Sequence, residues 1–144
     1  MVDWCALGAV RVLRTAFDVL SGYYTKMDEG KWLKRIIFLE ATAGVPGFVG
    51  GMVRHLDSLR LLRRDHGWIH TLLGEAENER MHLLVAMRMK QPSALFRWAV
   101  AGTQAVFVVG FSACYLISPR YCHRFVGYLE EEAVMTYTKL LGGA

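Results

Sequence analysis

Apolar residues in this chain recur every three to four positions, the repeat of an α-helix with one face turned to a core. Val10, Leu13, Phe17 and Leu20 share a stripe that Arg11, Arg14 and Asp18 avoid, so the pattern predicts a helix over about residues 9–21. Gly22 and the polar run 25–30 read as a loop. A second helix is predicted over about residues 31–56, with Pro46 as a point of kinking. Gly44, Gly47, Gly50 and Gly51 are poor helix formers, and their presence suits close approach of another helix in a tight bundle or at a membrane interface. Trp68, Leu72, Glu75, Glu79, His82 and Ala86 follow the helical period, which predicts a third helix from residue 65 or 67 to 89 with those residues on a mostly buried face. Pro92 fits the first turn of the next helix. From residue 98 to 117 only Thr103, Gln104 and Ser112 interrupt an apolar run, long enough for a transmembrane span. A helix lying in the membrane or buried in a core is the rival, and Gln104, Gly102 and Gly110 favour protein on one side of it. Arg97 and Arg120 bracket the run in either arrangement. A fifth helix is predicted over about residues 119–141.

Composition narrows the class. A chain of 144 residues, 53% hydrophobic with 3 prolines, suits one helical domain with a real core. The net charge of +4 is modest and spread out, favouring an anionic membrane surface at least as much as nucleic acid. The mixed apolar and basic stretch 59–64 fits either lipid headgroups or a solvated helix end. Cys5, Cys114 and Cys122 have no pair-like spacing and argue against a disulfide framework. Residues 1–10 are apolar, but Asp3 and the missing basic flank do not make a signal peptide.

The candidate chemistry centres on Glu79 and His82. Three residues apart on a helix, they set a carboxylate and an imidazole about one turn from each other. A ferritin-like bundle uses this spacing to hold two irons, with single glutamates from neighbouring helices. Glu40 and Glu130 are the candidates for those glutamates. An isolated helix glutamate is more often simply partnered, and a lone Glu-x-x-His is a weak signal; the companions strengthen it. Of the acids 130–132, Glu130 shares a face with Ala133 and Tyr137, while Glu132 lies in between and Glu131 turns away. Tyr137, two turns from Glu130, is either a neighbour of the metals or a packed aromatic with its hydroxyl bonded. Arg14 and Asp18, four apart, read by spacing alone as a weak surface ion pair.

With these residues in view, the sequence resembles the alternative oxidase family, the cyanide-insensitive ubiquinol oxidases of mitochondria. The motifs that carry the resemblance are Leu39-Glu40 with Ala43-Gly44-Val45-Pro46-Gly47, then Asn78-Glu79-Arg80-Met81-His82-Leu83, then Leu129-Glu130-Glu131-Glu132-Ala133-Val134. The stretches 68–73 and 124–128 also match, and the likeness extends from about residue 10 to 140. It implies an all-α, ferritin-like di-iron four-helix bundle in a monotopic protein of the mitochondrial inner membrane, matrix side, working as a homodimer without nucleic acid. It implies oxidation of ubiquinol and reduction of O2 to water without proton pumping. By the resemblance Glu40, Glu79, His82 and Glu130 are iron ligands and Tyr137 is a redox-active tyrosine beside two iron ions. Arg35, Leu39, Ala133 and Thr136 match the quinol pocket, Arg14 and Asp18 a polar pair at its mouth, and Asn78 a residue that orients ligands. The long apolar helix becomes part of a membrane-embedded surface and not a span.

Two departures stand out. Ala41 occupies a position where the family usually has Thr. The family also carries a second Glu-x-x-His, whereas no Glu or His follows Glu132 here. Four of six implied ligands are present, so the chain is expected to lack the last bundle helix, to bind iron poorly when expressed alone and not to oxidise quinol. A plastid-type quinol oxidase and an inactive helical membrane protein are the alternative readings.

Overall fold

The computed structural model describes residues 2–142, and among these every regular element is an α-helix. They are α1 (Val2–Leu20), α2 (Glu29–Leu61), α3 (Trp68–Met89), α4 (Ala94–Ile117) and α5 (Pro119–Gly142). The chain is therefore all-α, and α2 is its axis: α3 and α4 lie along it, α5 touches it, and α1 packs on α5. The core joins Ala6 and Val10 of α1, Val45, Val49 and Val53 of α2, Phe111 and Tyr115 of α4, and Cys122 and Phe125 of α5.

Local chemistry fixes the helix ends. The Asp28 carboxylate accepts from the Lys31 amide at 2.8 Å and caps α2. α2 stops where Leu62 turns left-handed at φ 51°, its amide donating to the Ser58 carbonyl. Asp65 Oδ2 accepts from the Ile69 amide and satisfies an open donor of α3, and Ser93 Oγ does the same for Phe96 in α4. Pro92 thus precedes the cap of α4 and does not sit in its first turn. α2 is continuous through Pro46.

The glycines of α2 are explained by proximity. A Cβ on Gly47 would meet the Leu72 carbonyl oxygen at 2.6 Å, and one on Gly50 would press on the Tyr115 ring at 3.3 Å. Side-chain-free positions thus bring α2 into backbone contact with α3 and let Tyr115 of α4 insert. The other expected small-residue contacts differ. A Cβ on Gly102 or Gly110 would meet nothing within 4 Å, so only Gln104 of that trio faces protein, its amide donating to the Ala41 carbonyl at 2.6 Å.

The burial of α1 departs from its apolar stripe. Ala6, Val10 and Asp18 are buried, whereas Leu13 and Leu20 are exposed. Charged partners from other helices draw Arg14 and Asp18 inward, which periodicity does not register. α2 and α4 are both long and apolar enough to cross a membrane, but 56% of the most apolar stretch of α2 is buried inside the protein against 11% for α4. α2 is thus a core helix, and α4 shows an outward face of Leu95, Trp98, Val106, Val109, Leu116 and Ile117.

Candidate metal centre

Glu40 is buried within α2, 6% exposed. Glu79 and His82 reach it from α3, and one ligand atom from each of the three residues lies within 4.8 Å of the others. Glu40 Oε2 stands 3.4 Å from His82 Nδ1 and has no hydrogen-bond donor. Its other oxygen accepts from the Tyr137 hydroxyl of α5. Burial, then a hydrogen bond shared with Glu79, then the charges of Glu79 and Glu130 push the Glu40 carboxyl up to about 8.

Glu130 lies outside the three-residue group, on an exposed position of α5. It is still within the field of the cluster. Partial desolvation of its carboxyl by the neighbouring helices, then the charges of Glu79 and Glu75, raise its pKa although the residue as a whole is exposed, and His82 opposes them. The expectation of a mostly buried α3 face holds for Leu72 and Ala86 but not for Trp68, Glu75 or His82, whose side chain is 56% exposed. That part of α3 is covered by α2 on one side only.

Such a cluster is unfavourable as a bare arrangement. Several carboxylates crowd together, one of them buried with an unpartnered oxygen, and the His82 imidazole lies 3.4 Å from that oxygen. A bound cation would relieve both the repulsion and the missing hydrogen bond. The donor set of carboxylate oxygens with one imidazole suits iron or manganese.

A second polar cluster sits where α1, α2 and α5 meet. Asp18, 3% exposed, is shared by two arginines: Arg14 Nε donates to Oδ2 at 3.3 Å and Arg35 Nη2 donates to Oδ1. Arg14 Nη1 lies 2.7 Å from Glu132 Oε2 and also donates to the Glu132 carbonyl. Arg35 Nη1 donates to Ser21 Oγ at 2.5 Å. The Arg14–Asp18 pair is therefore not the weak surface pair that its spacing suggests, because Asp18 is buried and Arg35 comes from another helix. Thr136 is buried with its hydroxyl donating to the Glu132 carbonyl, and Leu39 and Ala133 are half-buried nearby on the same two helices. Ser21 is not singled out by the sequence, and periodicity sets Glu132 only between the inward and outward faces of α5.

The comparisons bear on the whole chain. A family model described as alternative oxidase matches residues 1–143. Proteins named "Alternative oxidase, mitochondrial" from Emericella nidulans and Aspergillus niger are 56% and 57% identical, each over 96% of this chain. The protein of that name from Trypanosoma brucei brucei is 52% identical over 98% of it. The chain spans less than half of these relatives, 42% of the first and 43% of the other two. A match that continues from end to end, at similar identity to fungal and trypanosomal proteins, means that the chain belongs to the alternative oxidase family.

Proposed function

We propose that this chain carries the quinol site and part of the di-iron site of a mitochondrial ubiquinol oxidase that reduces O2 to water without pumping protons. The observation that carries the reading is the convergence of Glu40, Glu79 and His82 within 4.8 Å, with Tyr137 bonded to Glu40. Glu40, Glu79 and His82 would hold metal, with Glu130 on the open side. Iron bound there would supply the one-electron chemistry and the O2-binding position. The chain's own residues do the rest. Asn78 neighbours Glu79 and would help to orient it. Tyr137 donates its phenolic O–H to Glu40 Oε1, which would hold the ring beside the metal position.

The Arg14–Asp18–Arg35–Glu132 cluster, with Leu39, Ala133 and Thr136 beside it, would take the quinol head group. The charged cluster would anchor the head group, and Leu39 and Ala133 would give it apolar contact. The exposed face of α4, and that of α1 with Trp4, Val12, Leu13 and Leu20 uncovered, are apolar surfaces of the kind that mark an interaction site. They suit a protein lying in one leaflet of the inner membrane, on the matrix side. The exposed α2 residues Phe48, Met52, Leu56 and Leu59 suit a second copy of the chain.

The test uses a full-length alternative oxidase whose matched region carries this sequence. Iron analysis and oxygen uptake with ubiquinol, in the presence of cyanide, should give iron-dependent, cyanide-insensitive turnover that Glu79→Ala abolishes along with the bound iron. A Glu79→Ala protein that keeps its iron and its turnover would sink the assignment.

A further inference from the structure

Arg35 is held on more sides than neutralisation requires. Asp18 takes one end of its guanidinium and Ser21 another, while the rings of Phe17 and Tyr23 lie 4.4 and 4.3 Å from its central carbon. Its side chain is 2% exposed, yet its Nε–H has no partner. A buried donor without an acceptor is costly, so the geometry asks for an acceptor from outside the chain.

Tyr23 is the less obvious of the two rings. It stands in the turn after α1, 8% exposed, its amide donating to the Asp18 carbonyl at 2.9 Å. The edge-on ring of Trp32 lies 5.8 Å away. Lys139 of α5 brings its Nζ to 4.1 Å from the same Tyr23 ring. Arg14 of α1 brings its guanidinium carbon to 5.9 Å from that ring as well, so one aromatic ring receives cations from three helices. An aliphatic side chain of similar size would fill the space but attract none of them.

We infer that Tyr23 is a positioning residue of the quinol site. Its π-face holds the Arg35 guanidinium so that the free Nε–H meets an oxygen of the bound quinone or quinol ring. The inference rests on the quinol reading given above. It differs from a packing role in what it requires: the ring is needed, and the hydroxyl is not.

Tyr23→Leu and Tyr23→Phe in that same full-length oxidase carrying this sequence separate these roles. The iron-free protein, kept in chelator, is titrated with ubiquinone-1 while tryptophan fluorescence is followed, and steady-state oxidation of ubiquinol-1 is measured on the iron-loaded form. Tyr23→Leu should weaken ubiquinone-1 binding and raise KM by roughly 3- to 30-fold, the factor that a lost cation–π contact implies, with kcat little changed. Tyr23→Phe should bind as the parent does. Should Tyr23→Leu fail to fold by circular dichroism, Phe17→Leu removes the other ring against Arg35 and should weaken binding in the same direction. Leucine variants that bind like the parent, or a Phe variant as weak as the Leu one, would overturn the role of Tyr23 alone. A parent protein that neither binds ubiquinone-1 nor oxidises ubiquinol-1 would overturn the quinol reading and this inference with it.

Discussion

Replacing Glu40 by Gln is the most direct probe of the cluster, because it separates the metal from the cost of keeping the cluster empty. The folded protein holds the Glu40 proton up to about pH 8, against an ordinary value of 4.5 in the unfolded chain. Between those values the native state binds more protons than the unfolded one. The stability contributed by this group to the iron-free protein must therefore fall as pH rises through that window. The full shift sets a ceiling of about 5 kcal/mol. Water entering beside the exposed His82 should reduce it to about 2–3 kcal/mol. Glu40→Gln cannot ionise but keeps an oxygen for the Tyr137 hydroxyl, and its amide can donate to Glu79. Urea unfolding of the iron-free protein from pH 5 to pH 8 should show the variant gaining on the parent as pH rises. The iron-loaded comparison should reverse, since the variant loses a charged ligand. Parallel pH curves, or a variant less stable than the iron-free parent at pH 8, would refute the claim that Glu40 is a buried carboxylate under repulsion.

Three further outcomes follow from the packing. Gly47→Ala should cost about 1–3 kcal/mol in urea unfolding, because its methyl meets the Leu72 carbonyl and neither backbone can give way easily. Arg35→Ala should destabilise by about 3–5 kcal/mol, since Asp18 stays buried with Arg14 as its one remaining cationic partner, and Arg35→Lys should recover little of the loss because an ammonium lacks the planar fork. Burial and the charge of Arg54 lower the pKa of His123 against the pull of Glu75, and the neutral ring can accept from the Tyr115 hydroxyl 3.2 Å away. Its folded pKa lies below the ordinary 6.5, so its contribution is present above that value and lost as pH falls below it. His123→Gln should flatten this acid limb in a thermal-melt series and leave the Glu40 trend untouched.

Much of the fold was legible from periodicity. The third and fifth helices begin and end close to where the pattern puts them, at Trp68–Met89 and Pro119–Gly142. The first helix instead starts at Val2, and its buried stripe holds Asp18 where the pattern had Leu13 and Leu20. Hydrophobic periodicity assumes that charges face water, and this assumption fails when a carboxylate is neutralised by two arginines. Arg35 reaches Asp18 from seventeen positions along the chain, and Glu132 is 118 positions from Arg14. Nothing local announces either partner. The candidate metal cluster was more readable because Glu79 and His82 are held together by one helix. The hydrogen bond from Tyr137 to Glu40 spans 97 positions, and only the packing of α5 on α2 creates it.

The two polar clusters are built on the same pair of helices. On α2, Arg35 belongs to one cluster and Glu40 to the other, with Leu39 between them in sequence. On α5, Glu132 and Thr136 serve the first cluster, while the next residue, Tyr137, serves the second. A small rotation of either helix would therefore disturb both clusters together. The glycine-tight contact of α2 with α3 and the inserted Tyr115 oppose such a rotation. Under the proposed function this sharing has a purpose, since electrons leaving a quinol on Arg35 would need to cross only about one helical turn to reach Tyr137 and Glu40. The rigidity of α2 is then part of the chemistry. A substitution such as Gly47→Ala, remote from both clusters' polar groups, should weaken quinone binding and metal retention in the same protein.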